Sequence, residues 1–204
     1  HSGYYNIKSL SDKEKDLKMN HLEIEYKTML TEDEHKRLLT FFDHVQPIFQ
    51  VNYYIDSADF ALREARMALR VRTTPDAAEF TLKIPQKLGN FEYNQALSKD
   101  EFKKITEKFQ FPQGEILGKL QEKGIPVDKL TILGTLENIR YEKQDAIGLF
   151  ALDESRYFGK KDFELELEIN DIEEGEQKFK DFLNENQIQY KSGKSKIARF
   201  AENL

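Results

Sequence analysis

Leu22-Glu23-Ile24-Glu25-Tyr26-Lys27 alternates apolar and charged residues without a break. Period two over such a run is the pattern of a β-strand with one dry face and one wet face. Glu23, Glu25 and Lys27 share the wet face; Leu22, Ile24 and Tyr26 share the dry one. The same device returns along the chain. Arg70 and Arg72 lie opposite Leu69 and Val71, Thr81 and Lys83 opposite Phe80, Leu82 and Ile84, and Glu164, Glu166 and Glu168 opposite Leu165, Leu167 and Ile169.

The remaining elements follow from the same rules. Thr31 with Glu34 forms a capping box ahead of Leu38, Leu39 and Phe42, which predicts a helix over 32–44. Ser98 with Glu101 opens a second helix to Phe109; 113–123 reads as a third, stopped by Gly124, and 173–186 as a fourth. Further β-rich runs lie at 49–57, 68–73, 79–85, 91–97, 130–142, 145–154 and 163–169, with turn-length gaps or helices between them. A short strand or coil is expected for KSGKSKIARF (191–200). The order predicts an α+β, mainly antiparallel β fold. With Pro and Gly too scattered to mark a linker, 19–204 reads as one domain. Residues 1–18 are polar and precede Met19, and read as a tag or disordered arm.

Composition narrows the chemistry. The chain of 204 residues has a net charge of −6, so its surface as a whole does not attract nucleic acid. There is no cysteine, which excludes disulfides, thiolate nucleophiles and Cys-ligated zinc and fits the cytoplasm. No run approaches the roughly 20 apolar residues of a membrane-spanning helix. The histidines (His1, His21, His35, His44) lack ligand spacing and read as solvent or packing residues, and no phosphate-binding GxxxxGK[ST] loop occurs.

The charged rows therefore carry the functional signal. One such row is ordinarily a solvated ladder of little energetic consequence. Several rows, with acids grouped on some strands and bases on others, argue for something else. If the helices cover the apolar faces, the charged faces turn inward together, and curling the sheet closes a barrel around them. Two like charges 4 Å apart cost about 4 kcal/mol at an effective dielectric near 20. A lumen so lined needs acid–base partnering, water or a charged ligand.

Glu23-Ile24-Glu25-Tyr26-Lys27 resembles the ExExK signature of the CYTH superfamily, the triphosphate tunnel metalloenzymes. The resemblance continues through Arg70-Val71-Arg72, Lys83, Arg140, Asp153, Glu166-Leu167-Glu168 and Ser195-Lys196 with Arg199, and so spans nearly the whole chain from residue 20. It implies a closed eight-stranded β-barrel with helices outside, holding a triphosphate on basic side chains and Mg²⁺ or Mn²⁺ on acidic ones. By resemblance, Glu23, Glu25 and Lys27 form the catalytic signature. Glu23, Glu25, Asp153, Glu166 and Glu168 are implied as metal ligands, and Lys27, Arg70, Arg72, Lys83, Arg140, Lys196 and Arg199 as the triphosphate grip. Asn138 stands where the family often has a second base, and Glu164 competes with Glu166 and Glu168 for the acidic pair. Glu92 corresponds to a further acid on the fifth strand.

Hard oxygen ligands suit Mg²⁺ and Mn²⁺, and Arg and Lys neutralise and orient phosphate oxygens. Phosphoryl transfer needs positioning and charge stabilisation more than covalent help, which fits the absence of any Ser-His-Asp arrangement. The expected activity is metal-dependent hydrolysis of a small-molecule triphosphate, inorganic triphosphate first. The alternatives are an adenylate cyclase, which needs an adenine pocket not visible in the sequence, and a non-catalytic triphosphate- or polyphosphate-binding module. No nucleic-acid or membrane partner is expected.

Overall fold

The structure, a computed structural model, describes residues 20–169 and 172–204. The expected arm at 1–18 lies outside the described residues. Nine strands are defined: β1 (His21–Glu23), β2 (Glu25–Leu30), β3 (Ile48–Asp56), β4 (Ala68–Thr74), β5 (Ala77–Pro85), β6 (Asn90–Leu97), β7 (Thr131–Asp145), β8 (Gly148–Tyr157) and β9 (Lys160–Ile169). They hydrogen-bond in the order β1-β6-β5-β4-β3-β7-β8-β9-β2. The helices are α1 (Glu32–Leu38), α2 (Ala61–Glu64), α3 (Lys99–Lys108), α4 (Glu115–Glu122), α5 (Ile172–Glu185) and α6 (Lys196–Ala201). The class is thus α+β and mostly antiparallel β.

One difference from the expected eight strands arises at Ile24. The run read as a single strand changes partner there, β1 lying beside β6 and β2 beside β9. The Ile24 carbonyl accepts from the Ile169 N–H at 2.9 Å. A second difference is at the C-terminus. Residues 196–201, expected as strand or coil, form α6, because Ser195 caps the turn and accepts from the Ala198 N–H at 3.3 Å. The first helix is also shorter than expected and ends at Leu38.

The described chain divides into two compact units, one of 20–22 and Val51–Thr135, the other of Glu23–Gln50 and Leu136–Leu204. In the first, the dry faces of β4 and β5 (Leu69, Val71, Phe80, Leu82, Ile84) pack with Ile105 of α3 and Ile116 and Leu120 of α4. Ser98 and Glu101 close the predicted capping box at the start of α3. In the second, Leu165, Leu167 and Ile169 of β9 and Phe150 and Leu152 of β8 pack with Leu38 of α1 and Phe179 and Leu183 of α5. Each fully buried aliphatic or aromatic side chain contributes about 1.5–3 kcal/mol, so these faces fix which side of each sheet the helices cover. The polar residues of the same strands are left on the opposite side.

Gly148 starts β8 at φ 153°, where a Cβ would lie 2.1 Å from the Glu168 carbonyl oxygen. Only glycine permits that close approach of β8 to β9, which locks the register on which the polar face depends.

Candidate functional site

In the second unit the face turned away from α1 and α5 is built by register. Across β7, β8, β9 and β2, Arg140 stands beside Asp153, Asp153 beside Glu164, and Glu164 beside Met29. The next row runs Glu142, Ala151, Glu166 and Lys27, and the one after it Gln144, Leu149, Glu168 and Glu25. Antiparallel partners share a face, so seven of the residues singled out by sequence in this unit converge without further assumption.

Asp153 and Glu164 are fully buried, and Glu166 nearly so. Arg140 grips Asp153 with both arms of its guanidinium, Nε donating to Oδ1 at 2.8 Å and Nη2 to Oδ2 at 2.7 Å, and reaches Glu166 Oε1 at 3.3 Å. Such bidentate charge-assisted pairs are the strong class of hydrogen bond. Asn138, completely buried, donates to Asp153 Oδ1 at 3.0 Å and to Gln50 at 3.1 Å. In place of a base, the chain thus has an amide that braces the aspartate. Lys27 donates to Glu164 at 3.1 Å.

From α6, Lys196 Nζ lies 2.7 Å from Asp153 Oδ2 and 2.5 Å from Glu166 Oε1, and also bonds Glu164 Oε1. Arg199, one turn on, bonds Glu164 and Asp162. The helix that sequence reading missed is what puts Lys196 and Arg199 on one side, three residues apart.

Burial acts against the charges of Asp153, Glu166 and Lys196, yet partnering outweighs it. Asp153 is held below its ordinary value because Arg140 and Lys196 overcome the desolvation. Glu166 is held well below its own by Lys196, Arg140 and Lys27 against the same penalty. Desolvation would lower Lys196, but Asp153, Glu164 and Glu166 together raise it above the ordinary lysine range. Asp153 and Glu166 are therefore carboxylates and Lys196 a cation.

Asp153, Glu164 and Glu166 each offer an oxygen within 4.8 Å of the others, one of the groups able to hold a metal ion among the described residues. Hard carboxylate oxygens so clustered fit Mg²⁺ or Mn²⁺, and the cluster already accepts a positive charge from Lys196. Glu164, left open by sequence, joins Glu166 here, while Glu168 stands in the row of Glu25. Glu23, on β1, is buried.

In the first unit the helix-free face is basic. Arg70 stands beside Tyr54 and Thr81, Arg72 beside Asn52 and Glu79, and Lys83 beside Glu92. Arg72 Nε donates to Asn52 Oδ1 at 2.8 Å, and Lys83 Nζ lies 3.6 Å from Glu92. Glu79 was missed by sequence reading, although it shares the face of Thr81 and Lys83 at the same period-two spacing. It accepts from the Thr81 hydroxyl at 3.3 Å.

Burial, and then the Glu92 carboxylate, push the Glu79 carboxyl above its ordinary value against the pull of Arg70 and Arg72. A carboxyl raised by folding gives its full stabilisation below the unfolded value near 4.5 and loses it as pH rises through the folded one. Glu79→Gln is therefore expected to be more stable than the parent at about pH 7.5 and indistinguishable from it at about pH 4. Urea unfolding at the two pH values checks this; no gain at the higher pH would contradict the assignment.

Fold and site together define a class: mainly antiparallel β proteins whose strands bury rows of acids and bases opposite their apolar faces. The sequence matches the CYTH domain over residues 21–201, across both units, and the chain belongs to that family. It is 37% identical over 183 residues to a candidate triphosphatase, YjbK, of Bacillus subtilis (strain 168), covering 89% of this chain and 95% of that protein. A candidate adenylate cyclase of Bacillus halodurans superposes with a TM-score of 0.85 at 35% identity, covering 89% of this chain and 98% of that one. A candidate adenylyl cyclase of Hippeastrum, HpAC1, for which a dominant triphosphatase activity is described, superposes with a TM-score of 0.76 at 26% identity, covering 89% and 96%. No helix among the described residues is long and apolar enough to cross a membrane.

Proposed function

We propose that this protein is a metal-dependent triphosphatase, hydrolysing inorganic triphosphate or an organic triphosphate to release phosphate. The observation that carries this reading is the buried carboxylate group of Asp153, Glu164 and Glu166, met by Lys27 and Arg140 of the sheet and by Lys196 of α6. A binding module needs the bases; it has no use for so costly a set of buried acids. Taking a carboxylate out of water costs several kcal/mol, which a catalytic role justifies.

Glu23, Glu25, Asp153, Glu166 and Glu168 are the acids assigned to Mg²⁺ or Mn²⁺, with Glu164 added by its place in the cluster. When bound, such a cation supplies Lewis-acid polarisation of a phosphoryl oxygen. Lys27, Arg140, Lys196 and Arg199, and in the other unit Arg70, Arg72 and Lys83, are assigned to phosphate oxygens. They neutralise the charge that shifts to the leaving phosphate as water attacks phosphorus and the bridging P–O bond breaks. A carboxylate of the acid set takes the proton from water.

Phosphate release from triphosphate, pyrophosphate, ATP and thiamine triphosphate, each with Mg²⁺, Mn²⁺ or EDTA, tests the reading. Metal-dependent release from triphosphate but not from pyrophosphate supports it; no release from any substrate sinks it. The name carried by the Bacillus halodurans relative favours a second reading, adenylate cyclase. Cyclic AMP and pyrophosphate as the products from ATP would establish that instead. The Hippeastrum protein carries a cyclase name beside a dominant triphosphatase activity, which favours the hydrolase.

Arg72→Ala is expected to raise KM for triphosphate more than it lowers kcat. A charge-assisted hydrogen bond contributes about 1.5–3 kcal/mol, roughly tenfold to a hundredfold in affinity. Steady-state kinetics with both parameters unchanged would remove Arg72 from the phosphate grip.

A further inference from the structure

Lys196 has an unusual position for a phosphate-binding base: every bond described for its ammonium ends on a carboxylate. Nζ bonds Asp153 Oδ2 at 2.7 Å, Glu166 Oε1 at 2.5 Å and Glu164 Oε1. An ammonium has three N–H donors, and three carboxylates take them. These are the same three side chains whose oxygens lie within 4.8 Å of one another and could hold a metal ion. Lys196 is itself buried.

We propose that the Lys196 ammonium is a built-in stand-in for the divalent cation, and that the cation displaces it from Asp153, Glu164 and Glu166. This rests on reading those acids as a metal-holding group. Without the ammonium, three carboxylates would face one another in a desolvated place, with Arg140, Lys27 and Arg199 reaching only some of their oxygens. Lys196 therefore bridges three side chains that would otherwise repel one another. A divalent ion accepting the same oxygens would meet the ammonium at van der Waals contact or closer, and like charges exclude each other there.

The local structure lets the lysine leave without unfolding its helix. Arg199 stays bonded to Asp162 at 3.0 Å and 3.2 Å, and Phe200 is buried, so α6 remains docked. Only the flexible lysine stem need reorient. An ammonium released in this way becomes available to phosphate oxygens once the metal is in place, so the exchange orders the two events: metal first, triphosphate grip second.

Two measurements on the full chain test this without relying on turnover. Mn²⁺ affinity is measured by calorimetry for the parent and for Lys196→Met, which keeps the length of the side chain and removes its charge. The variant is expected to bind Mn²⁺ about tenfold more tightly or better, since nothing has to be expelled. Reductive methylation of the folded parent, read lysine by lysine by mass spectrometry, is expected to show Lys196 protected without Mn²⁺ and labelled with it. This second readout needs no variant and stands even if Lys196→Met folds poorly. Equal or weaker Mn²⁺ affinity in a folded variant, or Lys196 protected at saturating Mn²⁺, overturns the exchange and leaves the metal reading intact. No Mn²⁺ uptake by either protein overturns both.

Discussion

Glu166→Gln is expected to lose about 10³-fold or more in metal-dependent triphosphate hydrolysis while keeping the parent fold. Glu166 is where the rows meet: it accepts from Lys196 at 2.5 Å and from Arg140 at 3.3 Å, and stands beside Lys27 across the β2–β9 ladder. The Gln isostere fills the same volume and can still accept a hydrogen bond, so packing is preserved. What disappears is the negative charge. Metal-ion stabilisation of a transition state is worth several kcal/mol, and each 1.36 kcal/mol is tenfold in rate. Circular dichroism and thermal unfolding would report an intact protein beside the lost turnover. Activity within tenfold of the parent would take Glu166 out of the acid set.

Asp153→Ala should produce the largest loss of stability. Its carboxylate is fully buried and holds three cationic contacts, two from Arg140 and one from Lys196, besides the Asn138 amide. Truncation leaves Arg140 and Lys196 short of their main partner in a desolvated place. Removing one member of a buried pair costs about 3–5 kcal/mol, on the order of 10 °C in Tm for a chain of this size. The sign with pH also follows. A carboxyl held below its unfolded value of 3.8 gives its stabilisation above that value and loses it as pH falls through the folded one. The gap between parent and variant should therefore be full at neutral pH and narrow on strong acidification. A variant as stable as the parent at neutral pH would show that the Arg140–Asp153 pair is energetically neutral.

The fold depends on dry faces and the site on wet ones, and the two were not equally legible. Strict alternation in 22–27, 68–73 and 163–169 specifies both faces of a strand at once. From it came the strand class and the acids and bases of β2, β4 and β9, while capping boxes and helical spacing marked the covering helices. Arg140 and Asp153 stand side by side through pairing register, and sequence placed them by resemblance. Glu79 has the same spacing as Thr81 and Lys83, and its place beside Arg72 is set by pairing register.

Three features were beyond any linear reading. Pairing partner decides that the first run breaks at Ile24, since β6 and β9 are remote in sequence from it and from each other. Register decides that Asp153 and Glu164 stand side by side and that both lie close to Glu166. The coil-like run KSGKSKIARF becomes a helix only because buried Phe200 and the acids of β9 reward it, and that helix delivers Lys196. Sequence by itself determined which residues carry charge and which way each strand faces, since a two-residue period leaves side chains no other choice. The tertiary structure alone decided which charges meet, because contacts between strands far apart in the chain are set by packing and register, and local pattern contains neither.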